Sequence, residues 1–214
     1  MRVLREADLI AAEDTRRTRL LLVKYGITTP ITSYFEHNKL RRGPELLARL
    51  RAGQGVALVT DAGTPGISDP GFHLVRLARD AGVPVVPVPG PAAAVAALSA
   101  AGVPGDRFVF EGFLPVKRGR RLARLRELQA LRRPLVLYES PHRVTATLDA
   151  VGEVFGAVEV VLARELTKQF EEFRRGTPAE LRATLAGATV RGEVTLVVNT
   201  SGRAAPGPSG PAGD

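Results

Sequence analysis

Residues 56–71 constrain this chain more than any other segment. Val56-Ala57-Leu58-Val59-Thr60 reads as a buried strand, and it runs directly into DAGTPGISDPG, residues 61–71. Three glycines and two prolines punctuate those eleven residues. Glycine permits positive φ and close backbone approach, and proline fixes the shape of the loop. A helix is expected to follow from Pro70, with Asp69 as its N-cap. Loops at the carboxyl ends of strands are where open α/β sheets take ligands, so the segment predicts a stiff concavity lined by backbone groups. It is not a phosphate loop, because no Gly-Lys-Ser/Thr follows, and it does not match GxGxxG.

The rest of the chain alternates in the same way. Strands are expected at Leu9–Ala12, Pro30–Tyr34, Val56–Thr60, Val83–Val86, Phe108–Gly112, Leu135–Tyr138, Glu159–Ala163, Phe170–Arg174 and Val194–Asn199. Helical patterns fall between them, around Leu20–Lys24, Leu46–Leu50 and Phe72–Ala78. Further ones are expected at Ala92–Ala101, Arg121–Leu131, Val144–Phe155 and Ala179–Leu185. The alternation argues for an α/β fold with largely parallel strands. Two domains are expected, 1–104 and 105–200, joined near Val103-Pro104-Gly105-Asp106. The first sheet is expected to be largely parallel. The second should be mixed, because Glu159–Arg174 reads as two nearly consecutive strands. Residues 201–214, SGRAAPGPSGPAGD, lack apolar periodicity and are expected to form a disordered tail.

Composition narrows the chemistry. With 44% apolar residues in a chain of 214, a sizeable core is available. The absence of cysteine excludes disulfides, thiol catalysis and Cys-ligated zinc. His37, His73 and His142 are the only histidines, and no two stand at a metal-ligand spacing, so no metal is expected. No apolar run approaches the ~18 residues of a membrane span, and MRVLREADL carries charge where a signal peptide needs its apolar core. The cytoplasm is the simplest location. Thirty Lys and Arg against 22 Asp and Glu give a net charge of +8, which favours a polyanionic partner. Residues 117–133 concentrate that charge in Lys117, Arg118, Arg120, Arg121, Arg124, Arg126, Arg132 and Arg133. The stretch is either a nucleic-acid surface or a solvated helix face.

Three further loops follow expected strands. Pro89-Gly90-Pro91 opens a helix whose first face is nearly all alanine, which leaves room for a flat ligand or permits close helix–sheet packing. Tyr138-Glu139-Ser140-Pro141-His142-Arg143 ends another strand. His142 there is a candidate functional group or a structural cap. In Glu13-Asp14-Thr15-Arg16, the two acids either cap a helix or, with Arg16, shape a substrate pocket. Arg164, Glu165, Lys168, Glu171 and Glu172 form a further charged cluster.

Together, AEDTRRT, EHN, DAGTPGISDPG, PGP, DRFVFEGFLP, YESPHR and ARELTK resemble, in this order, the ribosomal RNA small subunit methyltransferase I family of the tetrapyrrole methylase superfamily. The resemblance covers about residues 2–199. It implies two α/β domains holding S-adenosylmethionine in the cleft between them, a homodimer, and methylation of a cytidine ribose 2′-hydroxyl in the decoding region of 16S ribosomal RNA in the small subunit. By matching motif, it implies that Asp61, Ala62, Gly63, Thr64, Pro65, Ser68 and Asp69 line the cofactor. Pro91 and Ala92 would lie against it from the second loop, and Tyr138, Ser140 and Pro141 from the second domain. Where relatives often carry a hydroxyl, Ala92 and Ala93 stand here. The family also begins with a strand and a Thr-Pro-Ile-Gly-Asn type loop, whereas this chain begins inside the helix that follows. A first sheet lacking one inner strand is therefore expected, and the upstream reading frame is expected to encode that strand.

A ribose hydroxyl is a poor nucleophile, so positioning and proton removal both matter. Glu13, His142 and Lys168 are the candidate bases. Arg16 and Arg143 suit phosphate or pocket contacts. Lys117, Arg118, Arg120 and Arg121 suit RNA. Two rival readings stand beside this one: a tetrapyrrole or other small-molecule methyltransferase, and an inactive ribosome-binding remnant.

Overall fold

Strand β1 (Leu9–Ala12) is buried along its whole length, which requires that both faces be covered. In the computed structural model it is the centre of a three-stranded parallel sheet, flanked by β2 (Ile31–Ser33) and β3 (Val56–Val59) in the order β2-β1-β3. Ile10 pairs with Ile31, and Ala11 with Leu58. The structure describes residues 1–187 and 189–204, with side chains through Ser201.

Side chains alternate across a strand, and β1 uses both sides. Leu9 and Ala11 pack with Tyr34, Leu46 and Leu74. The latter two come from α3 (Lys39–Arg51) and α4 (Phe72–Asp80). Ile10 and Ala12 pack with Leu22, Ile27 and Ala57 on the other face, where α2 (Thr15–Lys24) lies. A short helix α1 (Arg2–Glu6) precedes β1 and is tied down where the Thr29 hydroxyl donates to the Leu4 carbonyl at 2.6 Å.

Two expectations fail in this unit. Val83–Val86 forms no strand. It has no regular structure, with Val86 80% exposed and Val88 61% exposed. A strand exists only through a partner, and β3 pairs with β1 alone among the described residues. The helix expected from Pro70 also starts later, at Phe72 with Gly71 as its N-cap. Pro70 and Gly71 are spent on a turn. A Cβ on Gly71 would come within 2.8 Å of the Gly66 amide nitrogen, so the loop folds back on itself where only glycine fits.

The chain divides into two compact units, Met1–Ala92 and Ala93–Asp214. The joint read at 103–106 therefore lies inside the second unit. The reason is helix α5 (Ala93–Ala100), whose Ala94, Ala97 and Leu98 pack on Val136, Val161 and Val197 of the second sheet. The small side chains there serve helix–sheet packing.

That second sheet is mixed, as expected. Its strands are β4 (Val109–Phe113), β5 (Leu135–Glu139), β6 (Val158–Arg164), β7 (Glu172–Gly176) and β8 (Val194–Ala204), in the order β4-β5-β8-β6-β7. Only β4 and β5 are parallel. On the face opposite α5 lie α6 (Arg118–Gln129), α7 (Val144–Phe155) and α8 (Pro178–Thr184). Leu122, Leu125, Leu148, Val151 and Leu181 fill the core beneath them. A Thr177–Glu180 capping box starts α8, as Thr-Pro-Ala-Glu at the head of a helix favours. Strand β8 runs on to Ala204, so the first four residues of the expected tail are strand. The remainder, 205–214, lies outside the described residues.

Candidate active site

In the first unit, the ends of β1 and β3 are stitched together by side chains. The Glu13 amide donates to the Val59 carbonyl at 3.2 Å, continuing the ladder by one residue. The Glu13 carboxylate then accepts the Asp61 N–H at 3.1 Å. Asp61 returns the contact by accepting the Asp14 N–H at 3.3 Å. Its second oxygen lies 3.2 Å from Arg17. Asp14 caps α2 through the Arg16 N–H, 2.8 Å away, and is clamped by the Arg16 guanidinium at 2.9 and 3.2 Å. That hydrogen-bonded guanidinium holds the Asp14 carboxyl down to about 2.

The loop beyond Asp61 is shaped by backbone conformation. Gly63 and Gly66 have φ of 78° and 84°, and Ser68 has 59°. The Ile67 N–H closes a turn on the Thr64 carbonyl at 3.2 Å. The Thr64 hydroxyl donates to the Pro91 carbonyl at 3.0 Å, joining this loop to the PGP segment. A Cβ on Gly63 would sit 4.0 Å from that same carbonyl. Among the described residues, no backbone carbonyl takes the N–H groups of Ala62 or Gly63. Asp61, Ala62 and Gly63 are exposed, Thr64 and Pro65 half-buried, Ser68 exposed and Asp69 half-buried. The loop thus presents open backbone donors on a fixed frame, which suits a ligand with carboxylate, hydroxyl or ring-nitrogen acceptors. Pro91 is exposed and Ala92 half-buried; neither offers a side-chain hydrogen bond.

In the second unit the end of β5 carries the next cluster. The Tyr138 hydroxyl accepts the Ala94 N–H at 3.1 Å and so holds the first turn of α5. Its ring meets Phe110 and Phe113 edge-on, at 4.9 and 5.9 Å between centroids. Glu139 is buried at 2% exposure. It accepts the Ser140 N–H at 2.8 Å and the Thr147 hydroxyl at 2.6 Å, and lies 3.2 Å from Arg143 Nε. Ser140 and Pro141 are half-buried, and His142 is exposed.

Several expected roles change. Arg121 does not belong to the basic surface. It is 6% exposed, and its guanidinium donates to the Thr147 hydroxyl at 3.2 Å and the Val116 carbonyl at 3.1 Å. Arg143 likewise turns inward, donating to the Leu114 carbonyl at 2.6 Å. Both balance the buried Glu139 charge, as a desolvated carboxylate requires. Arg16 is held by Asp14. Arg118 pairs with Glu153, whereas Lys117 and Arg120 are exposed with no ion pair among the described residues. Lys168 bridges Glu165 and Glu193 at 2.8 and 3.1 Å, and the Glu165 hydrogen bond raises its pKa above the ordinary lysine value. A lysine so held stays protonated at neutral pH and is unsuited to act as a base. Arg17 and Thr147 escaped the sequence reading. Arg17 differs from its neighbour Arg16 only by its direction on the first turn of α2, and Thr147 carries no motif of its own.

Among the described residues, no three His, Asp or Glu side chains are grouped so as to hold a metal ion, and no helix is long and apolar enough to cross a membrane.

Comparison with known proteins decides the family. Residues 1–182 match the family of Tetrapyrrole (Corrin/Porphyrin) Methylases. The chain is 51% identical over 201 residues to the ribosomal RNA small subunit methyltransferase I of Pseudomonas aeruginosa, covering 92% of this chain and 71% of that protein. It is 50% identical to the protein of the same name from Escherichia coli O157:H7, over 92% and 70%. The chain belongs to the ribosomal RNA small subunit methyltransferase I family. Within the wider superfamily the fold likeness persists at low identity. A cobalt precorrin-4 methyltransferase matches with TM-score 0.66 at 19% identity, over 94% of this chain and 87% of that one. A diphthine synthase matches with TM-score 0.68 at 14% identity, over 92% and 81%. As a member of this family the chain is a methyltransferase of α/β tetrapyrrole methylase fold.

Proposed function

We propose that this protein transfers a methyl group from S-adenosylmethionine to the 2′-hydroxyl of a cytidine in the decoding region of 16S ribosomal RNA, acting as a cytoplasmic homodimer on the small subunit. The observation that carries the reading is the 61–71 loop, a glycine-shaped frame with open N–H donors, in a chain half identical to proteins named for ribosomal RNA methylation. A crystallised superfamily member, a uroporphyrin-III C-methyltransferase, is described in complex with S-adenosylhomocysteine, the demethylated form of that donor.

Bound, S-adenosylmethionine supplies an electrophilic methyl on a sulfonium. In the first unit, Ala62, Gly63 and Thr64 offer backbone groups to it, with Pro65, Ser68, Asp69, Pro91 and Ala92 around them. Glu13 and Arg17 hold Asp61, so the loop is set before ligand arrives. Pre-set geometry is what a displacement with a weak nucleophile needs most. By matching family motif, Tyr138, Ser140 and Pro141 of the second unit are assigned to the cofactor as well. As the ribose oxygen takes the methyl group, its proton must leave. Lys168 is charged and Glu13 is engaged with the Asp61 N–H, so His142, exposed and without a partner among the described residues, is the group assigned to accept it.

The test is incubation of the protein with labelled S-adenosylmethionine and either small subunits from a strain lacking this methylation, which are then digested to nucleosides, or uroporphyrinogen in a parallel reaction. Label in 2′-O-methylcytidine supports the reading. Label transferred only to uroporphyrinogen supports small-molecule chemistry, and none to either supports a protein that binds without catalysis.

A further inference from the structure

Phe113 is the last residue of β4, an edge strand, and it is 52% exposed. A core strand does not waste a phenylalanine on solvent by default. Here the register between β4 and β5 shifts between Phe110 and Gly112, and Gly112 adopts φ 69°. Such bulges re-aim the side chains that follow. The ring that results is held rather than loose. It meets Tyr138 at 5.9 Å and an interplanar angle of 63°, and Tyr138 in turn meets Phe110. The backbone after it is pinned from inside, at Leu114 by Arg143 and at Val116 by Arg121. Immediately beyond stand Val116, 71% exposed, and then Lys117 and Arg120, both exposed and without ion pairs among the described residues. Their neighbours are already taken: Arg118 by Glu153, and Arg124 by Glu111 and Glu127.

We propose that Phe113, with Lys117 and Arg120, is a docking surface for single-stranded RNA, on which the Phe113 ring stacks an unpaired nucleobase and the two cations hold the flanking phosphates. An ordered aromatic beside unpaired cations is the arrangement by which proteins take single strands: the ring face tolerates any base, and the cations follow the backbone. Charge complementarity selects RNA over a second copy of this chain, since two copies of one basic patch would set like charges against each other, whereas phosphates neutralise them. The net charge of +8 points the same way. The ring is immobilised before binding, so little side-chain entropy is lost on stacking. This surface deepens the ribosomal RNA reading above and rests on it, but it concerns binding and not methyl transfer.

Fluorescence anisotropy with a short unstructured RNA oligonucleotide, titrated against the full chain at several salt concentrations, tests it. Phe113→Leu is expected to weaken binding by about 5- to 100-fold, because leucine keeps the apolar bulk and loses the π face. Phe113→Trp should restore it. Lys117→Gln with Arg120→Gln should flatten the salt dependence by about 1.4 in log–log slope, two phosphate contacts at roughly 0.7 each. Equal affinity for the wild type and Phe113→Leu would overturn the proposal. So would loss of dimerisation by Phe113→Leu with RNA affinity unchanged, which would make the ring a subunit contact, or no binding of the oligonucleotide by the wild type. Absence of methyl transfer to ribosomal subunits, with the oligonucleotide still bound through Phe113, would instead sink the catalytic reading and leave this surface standing.

Discussion

Glu13 and Asp61 hold each other's strand ends. The Glu13 carboxylate accepts the Asp61 N–H, and the Asp61 carboxylate accepts the N–H of Asp14, the residue after Glu13. The two contacts lock the loop that follows β3 to the turn that follows β1. Glu13 is thereby a positioning residue for the proposed cofactor loop.

That assignment has a kinetic signature. Glu13→Ala should weaken S-adenosylmethionine binding by about tenfold or more, the value of a hydrogen bond to a charged acceptor, while kcat at saturating cofactor stays near wild type. Glu13→Gln keeps an acceptor oxygen and should recover most of the affinity. A collapse of kcat in both variants would instead make Glu13 the base.

His142→Ala should do the reverse. Removing a positioned base lowers turnover by about 10²- to 10⁴-fold and leaves cofactor affinity intact. Single-turnover kinetics separates chemistry from binding. Unchanged turnover would move proton removal elsewhere.

Lys168 should matter to stability and not to chemistry. Its pKa is raised by the Glu165 hydrogen bond, so its contribution is complete below the ordinary lysine value and is lost as pH rises through the folded one. Glu165 is lowered by the same contact, so its contribution is present above the ordinary carboxylate value and is lost as pH falls through the folded one. Lys168→Met should therefore cost under about 1 kcal/mol at neutral pH, as partly exposed pairs do, and progressively less in acid. Thermal melts at neutral and acid pH read the difference. A variant whose pH–rate profile changed shape would show Lys168 in the chemistry after all.

Thr147→Val tests the buried network. Its hydroxyl donates to Glu139 and accepts from Arg121, both of which lie inside the second unit. Valine is nearly isosteric but strips one donor from a buried carboxylate, at a cost of about 1–3 kcal/mol by chemical denaturation. A smaller effect would mean that water replaces the hydroxyl.

The two sheets, the loop after Val59 and the α7 limits were legible in the sequence because short β-branched runs, glycine–proline punctuation and helical periodicity are local signals. What failed depended on partners. Val83–Val86 has the composition of a strand, but no neighbour among the described residues pairs with it. Arg121 and Arg143 look like surface cations until Glu139 is seen to be buried between the elements that carry them. Lys168 reads as a candidate base until Glu193, far along the chain, joins the nearby Glu165 in holding its ammonium. The unit boundary moved because the alanines of α5 are claimed by Val136 and Val197, far along the chain.

The central claim is that the 61–71 loop is a preformed seat for a methyl donor, and isothermal calorimetry of S-adenosylmethionine with wild type and Gly63→Val tests it most directly. Gly63 sits at φ 78°, where a β-branched residue is strained, and its missing Cβ faces the Pro91 carbonyl. The account predicts measurable binding by the wild type and at least about a tenfold loss in the variant, with the melting of the second unit unaltered. Equal affinity of the two proteins, or no binding by the wild type, would contradict it.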